Sequence, residues 1–264
     1  MKCNLKFFLT LLCSVFCFAS NAQNQSQNMC LQSFYIDDSA AFEDGQYNDI
    51  WGYISPSGRE IAIFGGRAFT YFVDVTDPLQ PTLLHKEAGS FDRATWRDYK
   101  TYKNYVYGVT DNNPGSLQIF DMSEAPAIIT KVYDSDLLIK QSHNCFIENG
   151  RLYAVSGRNA ANVGFELRIL DIKTDPENPK LLSSFDFSIP DRIHDIFVRN
   201  DTAWINGAYD GLFVMDLKDP INPITIGSIN SYPGKGYNHS VWLTDDSKYA
   251  VFVDEVPTGL PLKM

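Results

Sequence analysis

Three of the four histidines of this chain, His143, His194 and His239, stand 51 and 45 residues apart, and each is followed by a polar residue, Asn144, Asp195 and Ser240. Two earlier stretches, Asn48-Asp49-Ile50-Trp51 and Arg97-Asp98-Tyr99-Lys100, put an aspartate on the same beat. Imidazole and carboxylate gathered in one place can hold a divalent cation, or serve as acid and base on a bound substrate. The candidate binding set is therefore Asp49, Asp98, His143, Asn144, His194, Asp195 and His239. No metal-type cysteine spacing, Walker loop, G-x-S-x-G elbow or H-E-x-x-H pair accompanies it. A recurring polar position also has a plainer use. One active centre does not need five copies, whereas a repeated unit needs a repeated hydrogen bond to its neighbour. The structural use is favoured, with ligand or metal binding next and catalysis last.

These residues must be positioned by a repeat. An apolar-Asp-apolar tripeptide followed by turn residues recurs as Val73-Asp74-Val75, Phe120-Asp121-Met122, Leu170-Asp171-Ile172 and Met215-Asp216-Leu217, in steps of 47, 50 and 45 residues. The His/Asn/Asp signature keeps the same period, and two markers in phase make chance a poor explanation. The clearest unit is Arg192–Pro223. Runs at His194–Val198, Thr202–Tyr209 and Leu212–Leu217 read as strands, with Asp210-Gly211 as a two-residue hairpin signal. Asp219-Pro220 and Asn222-Pro223 stop the third run, because proline cannot donate to a ladder. Ile224–Ile229 supplies a fourth. No long apolar pattern of helical period lies between the markers.

Four short strands per 40–50 residues predict an all-β chain of β-propeller blades, about 4.5 of them. A single blade cannot bury both faces of its sheet, and stacking around a ring does so. The signature strand is then innermost and lines a channel, the Asp-marked strand is third, and the run after the prolines is outermost. Cys30–Ile36 reads as an outer closing strand, and Leu260–Met264 begins a third strand of the fifth unit. This pattern favours an incomplete larger ring over a closed five-bladed one.

Asp74, Asp121, Asp171 and Asp216 read as turn residues whose carboxylates accept backbone N–H bonds, as do Asp77, Asp175 and Asp219 before proline. Trp51 and Trp242 share one repeat position, which points to packing between blades. His85 lies outside the repeat register and reads as surface. Asp111–Gly115 is an oxygen-rich loop without EF-hand spacing.

Residues 1–22 read as a signal peptide, with Lys2 and Lys6, an apolar core at Phe7–Phe18 and a small-residue site at Ser20-Asn21-Ala22, so residues 23–264 form the propeller. Cleavage removes two of 22 basic residues and none of 32 acidic ones, taking the net charge from −10 to −12. That balance argues against nucleic acid and anionic membrane as partners. The signal core is too short to span a bilayer, and no transmembrane segment is predicted. Cys145 falls in an apolar strand, where a buried free thiol is expected.

The stretches Tyr47-Asn-Asp-Ile-Trp-Gly-Tyr53, Thr95-Trp-Arg-Asp-Tyr99, Ser142-His-Asn144, His194-Asp195 and Asn238-His-Ser-Val-Trp-Leu-Thr-Asp-Asp246 resemble the choice-of-anchor B family. The Val-Asp-Val-Thr-Asp-Pro copies are similar to its LVIVD repeats. The resemblance runs from about Leu31 to Met264, and it implies a bacterial, exported, seven-bladed propeller held at the cell surface or released. It implies no reaction. The expected function is a secreted or cell-surface, monomeric binding module for a protein, glycan or small ligand. The alternative is a hydrolase or lyase using the channel-mouth His and Asp residues. No cofactor is implied, although a divalent cation suits the residue types.

Overall fold

The computed structural model describes residues 29–37, 47–111 and 114–264. The segment 1–22 expected to be a signal peptide lies outside these, as do Asn112 and Asn113 of the 111–115 loop. Residues from 33 onward form a compact unit of their own, to which all the sheets belong.

Its strands run in chain order as consecutive antiparallel meanders, and no helix occurs among the described residues. Blade 1 is β1 (Tyr47–Ile54), β2 (Glu60–Gly66), β3 (Phe69–Asp74) and β4 (Thr82–Ala88). Blade 2 is β5 (Arg97–Tyr102), β6 (Tyr105–Thr110), β7 (Leu117–Asp121) and β8 (Thr130–Ser135). Blade 3 is β9 (Gln141–Glu148), β10 (Arg151–Arg158), β11 (Gly164–Asp171) and β12 (Lys180–Phe185). Blade 4 is β13 (Asp195–Arg199), β14 (Thr202–Asn206), β15 (Leu212–Asp216) and β16 (Ile224–Ile229). The fifth unit pairs β17 (Asn238–Leu243) with β18 (Ala250–Asp254). Of its expected third strand, a single bridge between Phe252 and Lys263 forms.

The repeat is visible in the irregularities as well as in the strands. Every third strand slips its register against the fourth just before its marker aspartate, at Phe72/Val73, Ile119/Phe120, Ile169/Leu170 and Val214/Met215. Each marker then accepts a backbone N–H two residues on, from Thr76, Ser123, Lys173 and Lys218. Asp77, Asp175 and Asp219 do the same for Leu79, Glu177 and Ile221. These carboxylates close turns, as their sequence context predicts.

Consecutive inner strands, β1, β5, β9, β13 and β17, pack on one another. The core lies between blades rather than within one. Tyr53, Ile61 and Phe72 of blade 1 meet Tyr99, Val106, Phe120 and Met122 of blade 2, and similar clusters fill the later gaps. One repeat position shows the stacking directly. Tyr99, Cys145 and Ile196 are at most 1% exposed, whereas Ile50, on the open face of β1, is 66% exposed. Cys145 is a buried free thiol.

Three expectations are corrected. Residues 30–36 join no ladder; Tyr35 instead packs edge-on against Phe64 and beside Tyr71, a use of its aromatic face that needs no strand pairing. The turn at Asp210-Gly211 is wider than a two-residue hairpin. β14 ends at Asn206, Gly207 N–H donates to Gly211 O, and Ala208 takes a positive φ of 49°. The cause is the next blade, since Asn238 N–H donates to Ala208 O and draws the loop out of the ladder. His85 is half-buried on β4 against Phe72, rather than free at the surface.

Candidate functional site

Because each inner strand starts with the same signature, the fold stacks equivalent residues in levels. One level contains Trp51, Lys100, Phe146, Phe197 and Trp242, two residues past the recurring polar position. Trp242 meets Phe197, Phe146 and Trp51 at ring-centre distances of 4.6, 6.1 and 6.4 Å. Lys100 Nζ lies 4.6 Å from the centre of the Trp51 ring. Trp51 and Trp242 thus pack between blades, with half of the Trp242 surface still exposed.

The next level holds Asp49, Asp98, Asn144 and Asp195. Asp49 accepts the N–H of Tyr99 at 2.8 Å, and Asp98 accepts the N–H of Cys145 at 2.6 Å. Each therefore ties its blade to the next through the main chain. Asp98 also pairs with Lys100 Nζ at 2.5 Å, both side chains being under 10% exposed. Burial alone would depress the Lys100 ammonium, but the Asp98 and Asp49 carboxylates raise it on balance. Asp49 is pushed up to about 7, first by burial of its carboxyl and then by repulsion from Asp98. Asp195 rises to about 6, again through burial, with Lys100 opposing. Its carboxylate accepts its neighbour's N–H, from Ile196. Asn144 breaks the pattern, since its Oδ1 is buried with no hydrogen-bond partner.

At the mouth, one residue earlier on each strand, the three histidines form a row. His143 and His194 have ring centres 4.4 Å apart, and so have His194 and His239. His143 Nε2 lies 2.9 Å from His194 Nε2. A carboxylate closes each end. Asp111 Oδ2 is 2.8 Å from His143 Nδ1, and Glu255 Oε2 is 3.8 Å from His239 Nε2. Burial, followed by the neighbouring His143 and His239, lowers His194 to about 3, and burial also lowers His239. In blade 2 the equivalent residue, Arg97, donates to the carbonyls of Gly66, Arg67 and Phe91. In blade 1, Asn48 donates to the Thr95 carbonyl. Those two positions are structural. His194 Nδ1 likewise meets the His239 carbonyl oxygen, at 3.0 Å, whereas His143 is held by side chains.

All seven candidates thus lie on inner strands or at their starts, in two adjoining levels. Sequence reading missed Glu255, and it marked Asp111 only as part of an oxygen-rich loop. Both sit at the same repeat place, two residues beyond the β6 and β18 partners of Asp98 and Ser240. That equivalence becomes readable once the hairpin register is known. Sequence reading also missed a polar cleft of about 260 Å³ beside the row, lined by Asp111, Gln141, Arg158, Glu166, Asp186 and Arg192. Burial raises the Glu166 carboxyl there. Trp96, 52% exposed, stands 6.2 Å from the His143 ring, while Tyr209, 64% exposed, packs on Tyr237, which in turn meets His194.

The sequence matches no family model, and no curated protein is similar to it. Among solved structures, the periplasmic gluconolactonase PpgL of Pseudomonas aeruginosa is similar at 12% identity and a TM-score of 0.54, over 76% of this chain and 64% of that one. The fold is a β-propeller. The WD40 domain of SCAP from fission yeast is similar at 16% identity with a TM-score of 0.45, over 80% and 50% of the two chains. The computationally designed Ika8 protein has 12% identity and a TM-score of 0.47, over 73% and 52%. The chain spans between half and two-thirds of the length of these three. At such identities the likeness shows the fold alone. A propeller presents loops and strand ends around a rigid ring, which supports binding in general. No helix among the described residues is long and apolar enough to cross a membrane.

Proposed function

We propose that this protein is an exported or cell-surface propeller of the choice-of-anchor B type, which binds a small polyhydroxylated ligand at its channel mouth. The ligand is a free sugar or the end of a glycan. The polar cleft beside the histidine row is the observation that carries this reading. Binding sites are concave and combine a few convergent polar groups with apolar or aromatic faces. Here Gln141, Arg158, Glu166 and Arg192 supply donors and acceptors, and the exposed rings of Trp96 and Tyr209 supply flat faces nearby. The acidic charge and the leading 22 residues fit export and a non-nucleic-acid partner. A hydrolase or lyase working through the same histidines is not favoured, because the likeness to PpgL extends to the fold and no further.

A saccharide array probed with the labelled protein tests the reading. Specific retention should fall in Trp96→Ala and Arg192→Ala, and persist in Lys173→Ala at the opposite end of the strands. No retention of any saccharide, or retention indifferent to both mouth variants, would contradict it. Cell fractionation checks export, since a protein confined to the cytoplasm would contradict that part.

A further inference from the structure

The two nitrogens that face each other in the histidine row do not form an ordinary hydrogen bond between neutral rings. His143 Nδ1 is held by an Asp111 carboxylate oxygen at 2.8 Å, and His194 Nδ1 by the His239 carbonyl oxygen at 3.0 Å. Both oxygens only accept, so both Nδ1 atoms carry the ring proton. A neutral ring then has a lone pair on Nε2. These two Nε2 atoms are 2.9 Å apart, and two lone pairs at that distance repel unless a shared proton, with His143 charged beside Asp111, or a metal ion satisfies both. An imidazole whose Nδ1–H is fixed by a carboxylate or a backbone carbonyl, with Nε2 left over, is the form in which proteins present histidine to a metal. Two nitrogens bound at about 2.0–2.1 Å to one ion, as adjacent ligands, lie roughly 3 Å from each other.

Three donors converge beside this pair, and His143 is not among them. His194, His239 and Glu255 each bring a ligand atom within 4.8 Å of the others. The side chains of His239 and Glu255 are 38% and 54% exposed, so an ion can enter from solvent. We propose that the mouth is a site for one divalent first-row transition metal ion, held by imidazole nitrogens of His194 and His239 and the carboxylate of Glu255, with His143 Nε2, beside His194 Nε2, as the fourth donor. Asp111 and the His239 carbonyl orient the rings from outside. Three nitrogens and one oxygen suit zinc, cobalt or nickel, whereas calcium and magnesium prefer all-oxygen sets. The inference rests on reading the mouth as a binding site, to which the ion would add a point of attachment for ligand hydroxyls.

Calorimetry with Zn²⁺ and visible absorption with Co²⁺, on protein first stripped with EDTA, provide the test. One equivalent of each ion is expected, with a Co²⁺ band that Zn²⁺ abolishes. His194→Ala should remove binding, Glu255→Gln should weaken it, and Asp111→Asn should weaken it by roughly tenfold or more. Should His194→Ala not fold, His239→Gln at the more open end serves instead. No saturable uptake by folded protein, or uptake unchanged in His239→Gln and Glu255→Gln, overturns the site. Repeating the saccharide array with and without Zn²⁺ separates this inference from the broader reading. Saccharide retention without any metal uptake overturns the metal site alone. Metal uptake without saccharide retention supports the site and overturns the broader reading.

Discussion

The histidine row and the carboxylate level below it come from the same strand starts and differ by one residue in sequence, yet their partners differ in kind. Asp49 and Asp98 reach the main chain of the next blade, at Tyr99 and Cys145. His143 and His194 reach each other, with acidic side chains at the ends of the row. A repeated side chain that satisfies a neighbour's backbone is part of the scaffold. His194 reaches both kinds of partner, the His239 carbonyl through Nδ1 and His143 through Nε2, so its Nε2 is the atom left for chemistry. The favoured structural reading of the candidate set therefore fits Asp49 and Asp98, and the ligand or metal reading is the one proposed for the histidines.

The largest effect should come from cutting the deeper level. Asp98→Ala leaves the buried Lys100 ammonium and the Cys145 N–H without their partner, and breaking a buried ion pair in this way costs about 3–5 kcal/mol. His143→Gln, at the mouth, should cost at most about 1 kcal/mol. Equilibrium unfolding of both variants measures the contrast, and equal losses would break it.

Acidity should move the two levels in opposite directions. The Asp49 value of about 7 lies above its ordinary 3.8, so its protonated form favours the fold. That contribution is complete below 3.8 and is lost as pH rises through about 7. The His194 value of about 3 lies below 6.5, so its neutral form favours the fold, and that contribution is lost as pH falls from 6.5 toward 3. Melting temperature against pH, with EDTA present, should show Asp49→Asn losing relative stability toward acid and His194→Gln gaining it. Parallel profiles would contradict the assignment.

Smaller effects should follow at the turns and the rim. Asp171→Ala and Asp216→Ala each remove a carboxylate that accepts a backbone N–H, at about 1 kcal/mol. Trp96→Ala should leave stability within about 0.5 kcal/mol while reducing saccharide retention.

Much of this was legible in the sequence because a repeat states its own register. The spacing of Asp74, Asp121, Asp171 and Asp216 gave the third strands, and the His/Asn/Asp signature gave the inner ones. The two markers together placed His143, His194 and His239 near one axis. What escaped depended on pairings that sequence does not print. Glu255 and Asp111 join the row only because of where β18 and β6 end relative to their partners. Lys100 looks like a surface residue in an alternating strand, until stacking puts it over Trp51 and against Asp98. The strand expected at Cys30–Ile36 failed because a likeness to outer strands says nothing about an available edge. The narrow turn expected at Asp210-Gly211 failed because the fifth unit's Asn238 competes for Ala208.

The most direct test is the ¹⁵N NMR spectrum of histidine-labelled protein, followed with pH in EDTA. If the blades bring the histidines together as described, His194 stays neutral well below pH 6.5, with its proton on Nδ1, and its resonance moves when His143 is changed to Gln. A His194 that titrates near 6.5 and does not respond to that substitution would mean that the row does not exist.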